Sequence, residues 1–192
     1  MTIDGWNITG QSQIDSYVSS RAALAVLLVN RLAVTRTHGR TVTPPGTAAS
    51  RRAALTADRP EAAGMPLTDV DALASAAEVL RSVFGAPDPP VAALNDLLIR
   101  HSAVPTLHED THTLSFHRQD ARLVDAWVAD AGTALAMIIG VGQAARLGRC
   151  QAGGCDLVFM DITRNASRRF CDLSCQNRAK ASAYRARRGS AP

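Results

Sequence analysis

All four cysteines of this 192-residue chain fall in its last fifth, as Cys150-Gln151-Ala152-Gly153-Gly154-Cys155 and, fifteen residues on, Cys171-Asp172-Leu173-Ser174-Cys175. Two close pairs separated by a loop of this length suit a tetrahedral Zn²⁺: each pair supplies two thiolates from one tight turn, and the loop lets the turns face each other. The same cysteines could instead form two disulfides. No charged and apolar leader opens the sequence, however, so an oxidising compartment is not indicated. The expected ligands are therefore Cys150, Cys155, Cys171 and Cys175, holding one structural zinc. Four thiolates fill the coordination sphere, so such a site holds a fold and hydrolyses nothing.

Charge divides at the same place. Up to Ala145 the chain carries eleven basic and fourteen acidic residues, and from Arg146 onward ten basic and three acidic, so the excess of positive charge belongs to the tail. Concentrated basic charge around a metal-held fold is the electrostatic footprint of a nucleic-acid binder. The candidate contacts are Arg164, Arg168 and Arg169 from the loop between the cysteine pairs, and Arg178, Lys180, Arg185, Arg187 and Arg188 from the helix expected after Cys171. Arg168 and Arg178 have a competing use, which is to hydrogen-bond loop carbonyls and Asp161 and so steady the metal site. Tyr184 is placed either to pack back or to stack on a base.

The remainder of the chain must position this segment. Hydrophobic residues make up 46% of the sequence and aromatics only 4%, which implies a core of Ala, Leu and Val on helices. The length allows one ordinary domain and a small appendage, divided here as 1–145 and 146–192. The appendage is too short to bury a core without its metal, so metal removal is expected to unfold 146–188 alone. No apolar run approaches the roughly 20 residues of a membrane span. The longest, Ala22 to Val29, reads as a buried helix face, and a cytoplasmic, nucleoid-associated protein is expected.

In order, Met1 to Gly10 is polar and expected to fray. A long helix from about Gln13 to Thr35, capped by Ser12 or Asp15, carries Ile14, Tyr17, Val18, Leu24, Leu27, Leu28 and Val34 at helical spacing. A turn over Thr37 to Gly46 precedes a short helix from Thr47 to Ala57 with Arg51 and Arg52 exposed. A further helix opens at Thr68, with Asp69 and Asp71 complementing its dipole, buries Val70, Leu73, Ala77, Leu80 and Phe84, and ends at Gly85. Val91 to Arg100 carries another, with Leu94, Leu97 and Leu98 inward. Alternation around Glu109-Asp110 between Pro105 and Gln119 predicts a β-hairpin. From Asp120 to Gly140 or Gly142 the helical pattern returns through Leu123, Trp127, Leu135 and Ile138. Leu157 to Phe159 reads as a small strand beneath the metal, and a last helix, capped by Asp172 or Ser174, runs to about Arg188. The fold class is thus α+β: a predominantly helical domain with a small hairpin, then a treble-clef-like Cys₄ finger ending in a helix.

One motif is set aside. His108-Glu109-Asp110-Thr111-His112 satisfies the His-Glu-x-x-His pattern of zinc proteases, whose chemistry needs both histidines on one face of a helix. Here it straddles a strand and a turn. No Gly-rich phosphate loop and no catalytic grouping is present, so the polar residues Asn30, Arg31 and Asn95 are not assigned to an active site and the chain is not expected to be an enzyme.

The run Cys150, Cys155, Phe159, Asp161, Thr163, Asn165, Arg168-Arg169-Phe170-Cys171, Cys175-Gln176-Asn177-Arg178, Lys180 and Tyr184-Arg185 resembles the CGNR zinc finger family. Leu28-Val29-Asn30-Arg31-Leu32, Leu80-Arg81 and Leu94-Asn95 resemble helices of the ABATE domain, which precedes that finger in the family and is described as a stress-induced transcription regulator. Two departures stand out: Gln176 takes the place of the family's Gly, and Phe170 that of its Trp. The resemblance implies a transcription regulator that binds duplex DNA through the finger, with the N-terminal domain sensing a small-molecule ligand or forming a homodimer. The alternative is an RNA- or protein-interaction module with a structural zinc.

Overall fold

The computed structural model describes residues 11–189. The fraying expected for Met1 to Gly10 lies outside that range, and so do the side chains of Ser12, Ile14, Asp15 and Tyr17. Helix α1 (Gln11–Leu32) is the spine. Its period of three and four turns Leu24, Ala25, Leu28, Val29 and Leu32 inward. It ends three residues before the expected Thr35 because the chain there enters a two-stranded hairpin, β1 (Arg36–Thr37) with β2 (Arg40–Thr41). The glycines and prolines of Thr37 to Gly46 predict only a turn here. His38 and Gly39 occupy the two-residue loop with φ of 51° and 83°, the doubly positive backbone that tight hairpins require.

Helix α2 (Ala48–Thr56) opens on a capping box between Thr47 and Ser50. Arg51 and Arg52, expected to be exposed, are half-buried: Arg51 pairs with Asp71 at 2.6 Å, and Arg52 donates to the Met65 carbonyl. Helix α3 (Leu67–Val83) buries Val70, Leu73, Ala77 and Leu80, as its period demands. Helix α4 (Val91–Arg100) buries Leu94 and Leu97, whereas Leu98 is half-buried. The hairpin of β3 (Thr106–Leu107) and β4 (Leu114–Ser115) follows. Residues 108–112 form its turn and no helix, and the His108 ring lies against Ser115 at 2.9 Å.

Helix α5 (Leu123–Gly140) is the most apolar element, although Asp125, Asp130, Gly132 and Thr133 interrupt it and the longest unbroken apolar run remains Ala22 to Val29 on α1. Among the described residues it is the one helix long and apolar enough to cross a membrane, and eleven of its eighteen residues are buried inside the fold. It packs on α1, α3 and α4. Asp130 on α5 accepts from the Phe116 amide at 2.8 Å and from His117, and faces Arg21 of α1. It thereby ties the second hairpin to two helices.

After α5 the chain enters β5 (Leu147–Arg149), paired antiparallel with β6 (Val158–Met160). Leu147 and Val158 are buried in the same cluster as Leu28, Leu80 and Leu135. The Gly85 amide donates to the Leu147 carbonyl at 2.7 Å, so the hydrophobic core runs continuously past residue 146. Helix α6 (Leu173–Gly189) ends the description. A second, small cluster of Cys150, Ala152, Cys155 and Cys175 lies beyond β5 and β6, with Leu157 packed against both clusters.

Within this pair Gly148 faces Phe159, and a Cβ on Gly148 would sit 2.4 Å from the ring. The ring cannot yield easily, because the Arg168 guanidinium covers it at 4.5 Å. Gly148→Ala is expected to destabilise the protein by about 1–3 kcal/mol, as overpacking does. Urea unfolding would measure this, and a midpoint equal to that of the parent protein would contradict the packing argument.

Candidate metal centre and basic face

The residues between β5 and β6 fold back as a tight knuckle: the Cys155 amide donates to the Ala152 carbonyl at 3.1 Å and the Cys150 amide to the Leu157 carbonyl at 2.9 Å. The second cysteine pair comes from the start of α6. Asp172 caps that helix, its Oδ1 accepting from the Cys175 amide at 2.8 Å, so Cys175 sits in the first turn and points back at the knuckle. The four Sγ atoms lie within 4.8 Å of one another. The Cys155 and Cys171 sulfurs are 3.8 Å apart and no disulfide joins any of the four. With Zn–S bonds of about 2.3 Å, the sulfurs of a tetrahedral site are separated by about 3.8 Å. The donor set and its spacing therefore fit zinc.

Four thiols this close cannot readily ionise together without a cation. Burial pushes the Cys175 thiol up to about 11, with Cys155 and Cys150 adding to it and Cys171 opposing it, and burial reinforced by Cys175 and Cys150 raises that of Cys171. Burial also works against Cys155, but the backbone amides of His38 and Leu157 and the thiols of Cys175 and Cys150 outweigh it and lower its pKa. Metal uptake near neutral pH accordingly displaces protons from the raised thiols.

The first hairpin packs against the thiol cluster, a contact that no local pattern in the sequence predicts. The His38–Gly39 loop presses on the knuckle: the Gly39 amide donates to the Gly154 carbonyl at 2.9 Å, and the Asp156 amide to the Arg36 carbonyl at 2.9 Å. Gly154 has φ of +72°, and a Cβ there would meet the Gly39 Cα at 3.2 Å, so glycine is required for both reasons. Arg36 adds a two-pronged ion pair with Asp156 at 2.8 and 2.9 Å. The His38 imidazole bonds Asp172 at 2.7 Å and lies 3.9 Å from the Cys171 sulfur. His38, Cys171, Asp172 and Cys175 are a second group close enough to share a cation. Two of its four members are the sulfurs of the Cys₄ set, and the His38–Asp172 bond occupies the others.

Asn30, unassigned from sequence, clamps the free edge of β6. Its Nδ2 donates to the Val158 carbonyl at 3.0 Å and its Oδ1 accepts from the Val158 amide at 2.9 Å. Asn30→Ala leaves both strand groups without that partner and is expected to cost about 2 kcal/mol. Thermal unfolding would read this, and a loss below about 0.5 kcal/mol would rule out the clamp. Arg31, the neighbouring unassigned residue, pairs with Asp58.

Of the expected nucleic-acid contacts, the structure brings three back onto the metal site. Arg178 donates to the Gly153 carbonyl at 2.6 Å and to the Cys175 sulfur at 3.4 Å. Arg168 donates to the carbonyls of Phe170 and Cys171 while covering Phe159. Arg169 donates to Gln151 at 2.7 Å. Asp161 is fully buried and organises the loop, accepting from the Thr163 amide and hydroxyl and from the Arg168 amide. Burial opposes the charge of Asp161, and these hydrogen bonds overcome it, leaving its carboxyl below the usual range. Arg164 is exposed, as are Lys180, Arg185, Arg187 and Arg188 on α6. Arg188 stacks near Tyr184 and donates to its hydroxyl at 3.4 Å.

A groove of about 410 Å³ runs from α1 to the site, lined by Ala23, Val26, Asn30, His38, Leu157 and Asp172 among others. None of His38, Arg36, Asn30 or Gly154 announces its role in sequence, because their partners lie more than a hundred residues away.

Comparison with curated proteins finds no match. Residues 146–188 match the family model of the CGNR zinc finger, and the four clustered thiols within that segment suggest a bound metal, with a spacing that fits a structural zinc.

Proposed function

We propose that the protein is a DNA-binding transcription regulator, in which a structural zinc and a treble-clef-like knuckle, hairpin and helix hold out a basic face for duplex DNA. The observation that carries this reading is the division of labour among the cations. Arg168, Arg169 and Arg178 donate to groups at the metal site, Arg168 and Arg169 while still exposed and Arg178 half-buried, whereas Arg164, Lys180, Arg185, Arg187 and Arg188 are exposed away from it. Every residue from Lys180 to Arg188 is exposed, which is an ordinary arrangement for a helix that enters a groove or follows a phosphate backbone. The N-terminal helices, resembling an ABATE domain, would sense a small molecule, with the groove beside α1 as its site, or pair two copies of the chain.

Five exposed cations contacting five phosphates would give a slope of about −4.5 in log affinity against log salt on duplex DNA. Fluorescence anisotropy of the zinc-loaded chain on a labelled mixed-sequence duplex, titrated from low to physiological salt, tests this. Absence of binding at low salt would reject the reading. Tighter binding to RNA of the same length, or to neither nucleic acid, would move the finger to the interaction-module alternative. The exposed Ile162 on its surface favours that alternative.

A further inference from the structure

We infer that one stripe of α6, running from Leu173 through Asn177 and Lys180 to Tyr184 with Gln176 and Arg187 beside it, is the surface that reads bases in the DNA major groove, and that Asn177 selects adenine. This rests on the DNA-binding reading above and adds what that reading lacks, a residue that distinguishes sequence.

The rotation of α6 is fixed by the metal site. Cys175 points into the thiol cluster, and Arg178 is bonded to Gly153 and to the Cys175 sulfur. At about 100° per residue, the side of the helix opposite Cys175 and Arg178 carries Leu173, Asn177, Lys180 and Tyr184. Leu173 is 75% exposed and Tyr184 54%, and Asn177 and Lys180 are exposed as well. The Leu173 side chain thus stands in open water beside an exposed amide and a lysine.

The chemistry fits a groove floor. An Asn or Gln amide matches the acceptor and donor on the major-groove edge of adenine, and an apolar side chain suits the thymine methyl, while the long Lys180 side chain reaches from the edge of the stripe to a phosphate. From Leu173 to Tyr184 the stripe is about 17 Å long, enough for several base pairs. Ala181 and Ala183 flank it and keep the helix slender, as entry into a groove about 12 Å wide requires. Arg185 lies farther round the helix, placed for the phosphates that wall the groove, and Arg188, one turn past Tyr184 and bonded to its hydroxyl, continues the stripe at its C-terminal end.

The test uses the full zinc-loaded chain on an array of duplexes that covers all short sequences. The parent protein is expected to select a motif containing adenine at one position. Asn177→Ala should reduce the preference at that position about tenfold and weaken binding to the selected duplex by the same factor, while the salt slope, which counts charge contacts, stays unchanged. Asn177→Asp should move the preference to cytosine, whose amino group a carboxylate accepts from. Zinc content equal to the parent's shows that each variant keeps its finger. An unaltered motif in both variants, or equal binding of the parent to every sequence, overturns base reading by Asn177 while leaving DNA binding standing. No binding to any duplex overturns both.

Discussion

Stripping the metal is expected to release the knuckle and α6, residues 150–157 and 168–189, while α1 to α5 and the β5–β6 pair stay folded. The site's own apolar cluster consists of three cysteines and Ala152, with Leu157 and Phe170 against it. That is far too little to order the segment without a metal whose binding contributes about 10–16 kcal/mol in isolated finger peptides. Leu147 and Val158, by contrast, are buried in the main core, and Asn30 holds the edge of β6. The boundary of unfolding is therefore expected at the knuckle, whereas charge and cysteine spacing put it at 146. Hydrogen exchange before and after chelation would show it as lost protection in α6 with α1, α3 and α5 unchanged. A single cooperative loss of all helicity would contradict this. So would full retention of protection in α6.

The second large effect concerns the exposed cations. Replacing Lys180, Arg185, Arg187 and Arg188 together by Ala is expected to lower the salt slope on duplex DNA by about 3.6 and the affinity near physiological salt by roughly a thousandfold. These residues are exposed, and Ala is the better helix former, so stability and zinc content should hold. Arg178→Ala is the contrasting case. It removes the bonds to Gly153 and Cys175 and should weaken metal retention, with little change in salt slope. Equal slopes for the fourfold variant and the parent would mean that the face does not meet phosphates.

The elements were legible where periodicity is local. Leu73, Ala77 and Leu80 mark α3, and Leu94 with Leu97 marks α4, because residues three and four apart share a face whatever surrounds them. The thiol cluster was legible because each pair is a short-range signal. The first hairpin was not, since its His38–Gly39 loop lacks the Asn-Gly or Asp-Gly dipeptide that announces such turns, and Gly39, Pro44, Pro45 and Gly46 together suggested only irregular chain. The roles of Asn30, Arg36 and His38 depend on contacts across the whole fold, to Val158, Asp156 and Asp172. The uses of Arg168 and Arg178 likewise required knowing where the Phe170 and Gly153 carbonyls point.

The contact of the first hairpin with the knuckle has a consequence for assembly. Because Gly39 and Gly154 meet backbone to backbone, with Arg36 and His38 on either side, the finger is bolted to the helical body and does not swing from it as a tethered module would. Should two copies pair through their helices, the distance and angle between their two α6 helices would be set by the body. Paired half-sites on DNA would then be tolerated at one spacing and helical phase, and moving them apart by half a turn of the duplex would abolish joint binding, whereas flexibly linked fingers would adapt.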